Sequence, residues 1–127
     1  MAERIKTPVT PFRGEIYLVT FDPVRGREIA KTRPALVIQN NIGNRLSDVV
    51  IVAALSSIKK DSPHYPVNVL VRSPEGGLEY DSIVHLDQIR SIDKVRISKR
   101  IGILGMGTME KVDRAIEVSL GLIELGI

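Results

Sequence analysis

Near the middle of the chain the sequence reads Val49-Val50-Ile51-Val52-Ala53-Ala54-Leu55, a run of seven apolar residues. Its length and its β-branched side chains predict a β-strand, because so short an apolar run fits a strand better than a helix. Since no position in the run is polar, we expect both faces of this strand to be buried. The run therefore predicts an interior strand, and the rest of the chain can be placed around it.

Five further β-type runs flank this segment, and residues typical of turns separate them. Residues 73–77 (Ser-Pro-Glu-Gly-Gly) and 105–107 (Gly-Met-Gly) are predicted turns, since glycine and proline supply the backbone conformations that turns need. Several short, closely spaced strands favour a mainly β architecture. The remaining predicted strands cover residues 14–21, 35–38, 67–71, 82–86 and 100–104.

The last part of the chain changes its hydrophobic period. Val112, Ile116, Leu120 and Ile123 fall on one face, and most charged residues of this segment lie elsewhere. This pattern predicts an amphipathic helix of about four to five turns, with Thr108 as a candidate N-cap. Short strands followed by one helix predict a mainly β fold in which a small coiled sheet or partly open barrel packs against a C-terminal helix.

The length of 127 residues is that of one ordinary domain. Residues 1–11 contain Pro8 and Pro11 and little apolar periodicity, so we expect an extended lead-in there. Residues 12–127 are predicted to form a single domain. Apolar residues make up 43% of the chain and charged residues 26%, which excludes a wholly disordered protein.

Several classes of site are excluded by residues that the sequence lacks. There is no cysteine, which excludes a disulfide scaffold, a thiolate metal site and a cysteine nucleophile. His64 and His85 are the only histidines, so we expect no metal site. No stretch approaches the roughly 18 apolar residues of a membrane span, and the N-terminus does not read as a secretory signal. We therefore expect a cytoplasmic protein without a membrane partner.

Positive charge is concentrated in the first half of the chain. Residues 1–60 carry ten Lys and Arg against five Asp and Glu, whereas residues 61–127 carry eight against ten. The two halves therefore carry +5 and −2, which sum to the formal net charge of +3. A basic half can form a face for a polyanion, or it can simply be a solvated surface. Charge alone leaves both interpretations open.

The densest group of cations lies in residues 22–34, between the first two predicted strands, where four cations accompany two carboxylates. A loop of about a dozen residues is long enough to suggest a function. Arg33 is its most informative member, because Pro34 follows it and biases its backbone towards an extended conformation. A guanidinium held at a sheet edge can bind two oxygens of one phosphate. The alternative is an ordinary ion pair with a nearby carboxylate.

Other polar residues lie on or beside predicted strands. Ser56 follows the central apolar run, where its hydroxyl can donate to a phosphate oxygen, although serine commonly ends strands. His85 and Asp87 are two residues apart, so on a regular strand they share one face. A histidine beside a carboxylate can transfer a proton. The alternative is a polar pair on a half-exposed strand face.

A succession of short motifs runs through the chain from about residue 13 to residue 125. The motifs are residues 13–17 (Arg-Gly-Glu-Ile-Tyr), 22–23 (Asp-Pro), 26–28 (Gly-Arg-Glu), 33–40 (Arg-Pro-Ala-Leu-Val-Ile-Gln-Asn), 43–45 (Gly-Asn-Arg), 51–56 (Ile-Val-Ala-Ala-Leu-Ser), 87–94 (Asp-Gln-Ile-Arg-Ser-Ile-Asp-Lys) and the closing helix. Each motif is weak by itself, whereas their order and spacing together are specific. In this succession the chain resembles the MazF/PemK/Kid family of toxin endoribonucleases from bacterial toxin–antitoxin pairs.

The resemblance implies a fold, an activity and partners. The fold is a small SH3-like β-barrel with a C-terminal helix, usually assembled as a homodimer. The activity is sequence-specific, metal-independent cleavage of single-stranded RNA, including mRNA, to 2′,3′-cyclic phosphate and 5′-hydroxyl ends, and it needs no cofactor. The protein partner is a cognate antitoxin whose extended acidic tail covers the RNA groove.

The resemblance also assigns candidate catalytic residues. The family's arginine before proline falls on Arg33, which would stabilise negative charge at the phosphorus centre and is a candidate acid for the leaving 5′-oxygen. The family's Thr or Ser at the end of the third strand falls on Ser56, which would hold a non-bridging oxygen. Asp87 matches a carboxylate that is either the general base or a reader of RNA bases. His85 stands where one branch has an arginine, and it is either a proton shuttle or without a role.

Further residues are candidates for RNA contact. Glu28 matches a common acid of the loop, which either contacts the substrate or shapes the loop, and Lys31 is a candidate phosphate contact. The complete set of candidate RNA-binding residues is Arg27, Glu28, Lys31, Arg45 and Gln88.

Two other functions remain as alternatives. The same fold hosts a gyrase poison without nuclease activity, whose C-terminal Trp-Gly-Ile is similar to Leu125-Gly126-Ile127 except for the aromatic residue. The second alternative is a relative that binds RNA without cutting it. The presence of both Arg33 and Ser56 argues against each alternative, although a fold by itself does not decide function.

Overall fold

The structure, a computed structural model, describes residues 9–21, 32–58 and 65–125. Six strands form one antiparallel sheet in the order β4-β5-β3-β2-β1-β6. The sheet is open, with β4 and β6 at its edges, and otherwise matches the predicted mainly β fold with a C-terminal helix. The elements are β1 (Glu15–Thr20), β2 (Thr32–Val37), α1 (Asn41–Leu46), β3 (Val49–Ser57), β4 (Asn68–Val71), β5 (Ser82–Asp93), β6 (Ile97–Ile103) and α2 (Met106–Ser119), with 3₁₀ turns at Glu75–Gly77 and Lys94–Arg96.

The central apolar run forms β3, an interior strand between β5 and β2, as its composition predicted. The expectation of burial on both faces holds only from Val52 onwards. Val49 and Ile51 are 42% and 37% exposed, because the helix that covers this face does not reach the start of the strand. The strand also continues to Ser57, which brings Ser56 into the sheet rather than leaving it in a loop.

The sheet buries one hydrophobic cluster on each face. Alternating side chains of the central strands divide between them, because successive residues of a strand point to opposite faces. The first cluster lies under α2, which contributes Val112 and Ala115. The second lies on the other face and extends to Val9 and Phe21 near the two ends of β1. The strand residues of the second cluster include Tyr17, Val19, Ala35, Val37, Val50, Val52, Ile92 and Ile97.

The boundaries of α2 differ from the expected ones. The helix begins at Met106 with Gly105 as its N-cap, so Thr108 lies inside the first turn and the predicted cap is wrong. The helix ends at Ser119 and has 14 residues. Leu120, predicted on the apolar face, is the C-cap and is exposed, because the chain turns at Gly121, whose φ is +72°. Within the described residues, no helix is long and apolar enough to cross a membrane.

The longest strand, β5, has an irregularity that the sequence did not reveal. Its pairing with β3 passes from Ala54 opposite His85 to Ala53 opposite Ile89. Residues 86–88 of β5 therefore bulge out of the regular ladder. Because side chains alternate between faces only along a regular ladder, the two-residue spacing of His85 and Asp87 does not place them together here.

Candidate active site

The sheet register brings Arg33 and Ser56 towards each other. The ladder between β2 and β3 ends at Ala35 opposite Ala54, and extending its register by two residues along each strand puts Arg33 opposite Ser56. Since alternate residues of a strand share a face, both side chains lie on the face of the second hydrophobic cluster, as Ala35 does. They stand at the end of the two strands where polar groups replace the apolar core.

His85 is the third member of this group. On β5 it lies diagonally across from Ser56, because Ser56 pairs with Ile83 and Ala54 pairs with His85. The Oγ atom of Ser56 and the Nε2 atom of His85 are 2.6 Å apart, which is a hydrogen bond. Both residues are half-buried. The structure therefore pairs His85 with Ser56, whereas sequence spacing had paired it with Asp87.

Arg33 is exposed near the start of β2. Pro34 follows it within the strand and is half-buried, which fixes the backbone from which the guanidinium extends. Among the described residues, no carboxylate forms an ion pair with Arg33. In this part of the chain the guanidinium is therefore available to an anionic ligand.

The other predicted site residues are more scattered. Asp87 and Gln88 are exposed within the bulge of β5. Arg45 is exposed on α1, next to the start of β3. Seven residue steps separate Val49 from Ser56, which is about 23 Å along an extended strand. The structure thus does not place Arg45 beside Ser56, and Arg27, Glu28 and Lys31 lie outside the described residues.

A groove of about 520 Å³ adjoins Ser56. Pro34 and Leu55 line it, and they alternate with Arg33 and Ser56 along their strands. Since neighbouring residues of a strand point to opposite faces, the groove opens on the other face of the sheet and meets the Arg33–Ser56 pair at the rim.

The far walls of this groove come from Tyr80, in the turn before β5, and from Lys99 and Arg100 of β6. Sequence reasoning missed all three residues. A pair of adjacent cations and an exposed aromatic residue were the available signals, but only the sheet order places β6 next to β1 and so close to β2. The groove therefore brings positive charge and an aromatic ring to the sheet rim that carries the site.

A buried polar cluster on β1 pairs with Arg100, next to the groove. Oε1 of Glu15, a residue that is 6% exposed, accepts hydrogen bonds from the Phe12 N–H at 2.6 Å and the Tyr17 hydroxyl at 3.1 Å. Oε2 of Glu15 pairs with Nε of Arg100. Burial, and next the negative charge of Glu15, raise the pKa of Tyr17 to about 12, so this phenol stays neutral at physiological pH. Arg100 is partly neutralised by Glu15, which leaves Lys99 as the freer cation of the groove.

These groups suit phosphoryl-transfer chemistry. A guanidinium and a hydroxyl on one face can both donate to oxygens that become more negative in a transition state. An imidazole in contact with the hydroxyl can accept or donate a hydrogen. Within the described residues, no cluster of three or more His, Asp or Glu side chains could hold a metal ion.

Comparisons with known proteins identify relatives over nearly the whole chain. A family model described as the PemK-like, MazF-like toxin of type II toxin–antitoxin systems matches residues 12–120. Endoribonuclease EndoA of Bacillus subtilis is 43% identical over 112 residues, which are 88% of this chain and 96% of that protein.

Solved structures share the fold. An endoribonuclease in complex with its cognate antitoxin from a mycobacterial species is 25% identical, with a TM-score of 0.73 over 91% of this chain and 99% of that one. A MazE–MazF structure from Deinococcus radiodurans has a TM-score of 0.75 at 23% identity, over the same shares of the two chains. Since the family model spans residues 12–120, including both strands of the Arg33–Ser56 pair and all of α2, the chain belongs to the PemK-like, MazF-like family of type II toxin–antitoxin toxins.

Proposed function

We propose that this chain is a toxin endoribonuclease that cuts single-stranded RNA, including mRNA, at short sequence motifs, and that it does so without a metal or other cofactor. The observation that carries this proposal is the placement of Arg33 and Ser56 across β2 and β3, on the same face of the sheet. The name and the 43% identity of the Bacillus relative support it. The cytoplasm, where mRNA is available, is the expected location.

The proposed reaction is an internal transesterification. The 2′-oxygen of the ribose attacks the adjacent phosphorus, so an O2′–P bond forms while the P–O5′ bond breaks. The 2′-hydroxyl gives up a proton and the departing 5′-oxygen takes one, which leaves a 2′,3′-cyclic phosphate and a 5′-hydroxyl. Negative charge grows on the non-bridging oxygens during the attack. Arg33 would stabilise this charge, and Ser56 would donate a hydrogen bond to one of these oxygens.

Two roles remain open for Asp87. It is exposed in the bulge of β5, beyond the Ser56–His85 hydrogen bond, where a carboxylate can either accept the 2′-proton or contact a base edge. A reduced rate with unchanged cut sites in Asp87→Asn would identify it as the base. A changed set of cut sites would identify it as a reader of sequence.

The remaining contacts would extend along the RNA. Arg27, Glu28, Lys31 and Gln88 are proposed contacts near the cut. Arg45 lies on α1, next to the start of β3, which is about 23 Å from Ser56 along the strand, and it would contact the RNA some nucleotides away. Phosphate contacts of this kind fix the position of the RNA and make binding sensitive to salt. We further propose a homodimer and a cognate antitoxin whose acidic tail competes with RNA for these cations.

The experiment that tests the activity is incubation of the purified protein with a long single-stranded RNA in EDTA, followed by mapping of the ends. We expect discrete cuts that leave cyclic phosphates. Intact RNA would contradict the proposal and would lead to a DNA supercoiling assay for the gyrase-poison alternative.

Matched variants test the assigned residues. Arg33→Ala should lower the cleavage rate by about a hundredfold or more, since one donor to a developing charge is typically worth that much. Arg114→Ala removes an exposed arginine from α2 and should leave the rate unchanged. Ser56→Ala should slow cleavage and Ser56→Thr should retain it, whereas Ser91→Ala, at an exposed serine of β5 that does not line the groove, should have no effect. Full activity of Arg33→Ala would overturn the mechanism.

A further inference from the structure

The hydrogen bond between Ser56 and His85 goes beyond the roles assigned so far. Its 2.6 Å length leaves no room for a water molecule, so the two side chains contact each other directly. His85 therefore determines in which direction the Ser56 hydroxyl points. The proposed reaction needs that hydroxyl to donate its hydrogen to a phosphate oxygen.

The direction of this hydrogen bond matters because a serine hydroxyl has a single hydrogen. If Nε2 of His85 accepts, the Ser56 hydrogen points to the imidazole and cannot point to the phosphate. If Nε2 carries a hydrogen and donates, Ser56 Oγ accepts that hydrogen and its own remains free for the phosphate. A protonated imidazole can only donate, whereas a neutral one can do either.

We propose, on the basis of the proposed nuclease function, that His85 is a positioning residue. It holds the Ser56 hydroxyl so that this hydroxyl can donate to the scissile phosphate, and it does so only while its Nε2 atom carries a hydrogen. Cleavage is then faster when His85 is protonated, and it slows as the imidazole becomes neutral and the accepting arrangement competes.

The surroundings of His85 are consistent with this role. β5 lies between β3 and β4, so His85 has Ser56 on one side and Asn68, its register partner on β4, on the other. The Oδ1 atom of Asn68 is buried and has no hydrogen-bond partner within the described part of the chain. The Oδ1 atom of Asn68 can accept a hydrogen bond, so its position next to His85 favours a form of the imidazole that has a hydrogen to donate.

Within the described residues, the ionisable groups near His85 lie on β5 itself and on β2. The two strands that flank β5 carry no ionisable side chain over β3 (Val49–Ser57) and β4 (Asn68–Val71). Asp87 follows on β5 itself, and Arg33 lies on β2 beyond Ser56. Residues 22–31, between β1 and β2, and residues 59–64, between β3 and β4, lie outside the described residues. Arg90, opposite Val52 on β3, lies on the same face of β5 as His85. Arg33, Asp87 and Arg90 are therefore the described charges to control for in a pH experiment.

The first test compares pH profiles of three proteins under single-turnover conditions, between pH 5.5 and pH 8.5. His85→Gln keeps a side-chain N–H donor but cannot change its charge, and His85→Leu removes the donor. We expect the ratio of the wild-type rate to the His85→Gln rate to fall by about threefold to tenfold between pH 5.5 and pH 8.5. The glutamine variant should retain most of the wild-type rate at pH 6, and the leucine variant should be about threefold to tenfold slower there.

The second test asks whether His85 acts through Ser56. The rate is measured for His85→Leu, Ser56→Ala and the double variant at pH 6. If His85 only positions the Ser56 hydroxyl, then His85→Leu should have no further effect once that hydroxyl is gone. RNA binding, measured with a strand that carries 2′-deoxyribose at the cut site, should be unchanged by His85→Leu. The folded state of each variant is checked by its thermal unfolding midpoint.

Each outcome separates this inference from the proposed function. A wild type that leaves RNA intact would refute the nuclease proposal itself. If the wild type cuts RNA but its pH profile parallels that of His85→Gln, protonation of His85 does not control the rate and the inference is wrong. The same loss from His85→Leu with and without Ser56→Ala would show that His85 acts independently of Ser56, which would also overturn it.

Discussion

Replacing Tyr17 by phenylalanine tests the buried polar cluster that stabilises β1 and neutralises part of Arg100. Tyr17 is 3% exposed, and its hydroxyl donates to the carboxylate of Glu15 at 3.1 Å. A hydrogen bond to a charged acceptor typically contributes about 1.5 to 3 kcal/mol. Because Glu15 keeps its bonds from Phe12 and Arg100, we expect the lower figure, so Tyr17→Phe should reduce the free energy of unfolding by about 1.5 kcal/mol at pH 7.5.

The same contact predicts how stability depends on alkaline pH. The pKa of Tyr17 is raised from 10.0 to about 12 in the folded protein, first by burial and then by the charge of Glu15. Between these values the unfolded chain loses the phenol proton while the folded chain keeps it, so this contribution is complete below pH 10 and is lost as the pH rises towards 12. The total loss is about 2.7 kcal/mol, of which about 1.4 kcal/mol is gone by pH 11. Tyr17→Phe lacks this loss, so the two proteins should become nearly equal in stability near pH 11.

Urea unfolding of both proteins at pH 7.5, 9, 10 and 11 measures this convergence. Other lysines and tyrosines titrate in the same range, but they are common to both proteins and cancel in the difference. Tyr80→Phe is the matched control, since Tyr80 is 70% exposed, and its difference from the wild type should stay within about 0.5 kcal/mol at every pH. If the difference in the free energy of unfolding between Tyr17→Phe and the wild type stayed constant from pH 7.5 to pH 11, the reasoning would be refuted.

Further predictions concern the packing of the sheet. In Gly102→Ala the new Cβ would lie 2.3 Å from the carbonyl oxygen of Gly76, a backbone atom that cannot easily move aside, so we expect a loss of at least about 2 kcal/mol in urea unfolding. Gly107→Ala in α2 meets no atom within 4 Å and should instead stabilise the protein by up to about 1 kcal/mol; equal midpoints for the two variants would contradict this account. Leu36→Ala, in the cluster under α2, should cost about 2 to 5 kcal/mol in the same assay, whereas a loss as small as that of the exposed Leu122→Ala would show that the cluster is not tightly packed.

Most of the fold was predictable because its signals are local. An apolar run and a change of hydrophobic period depend only on neighbours in the chain, and each led to an element of the correct type. The turn predicted at residues 105–107 is wrong, because Met106 and Gly107 begin α2. The errors in the predicted fold concern residues whose burial or conformation depends on contacts with residues distant in the sequence. The partial exposure of Val49 and Ile51 depends on how far α2 reaches over the sheet, and α1 (Asn41–Leu46) is too short to produce a clear period.

The residues of the candidate site also divide into those that local sequence features identify and those that only the strand order identifies. Arg33 and Ser56 could be identified from local features, namely the proline that follows Arg33 and the apolar run that precedes Ser56. Lys99 and Arg100 could not be found in this manner, since their relevance depends on β6 being the neighbour of β1, which itself pairs with β2. No local pattern specifies which strands become neighbours in a sheet.

The sequence by itself determined a mainly β domain with a C-terminal helix, the family resemblance, and the Arg33 and Ser56 candidates, because local periodicity and the order of short motifs carry that information. Only the tertiary structure decided that His85 contacts Ser56 and that the two-residue spacing of His85 and Asp87 does not place them on one face of a regular strand. The physical reason is the bulge in β5, which interrupts the regular alternation of side chains on which the spacing of His85 and Asp87 depends. The partner of a side chain across a sheet depends on strand register, and register is fixed by packing of both faces of the sheet together.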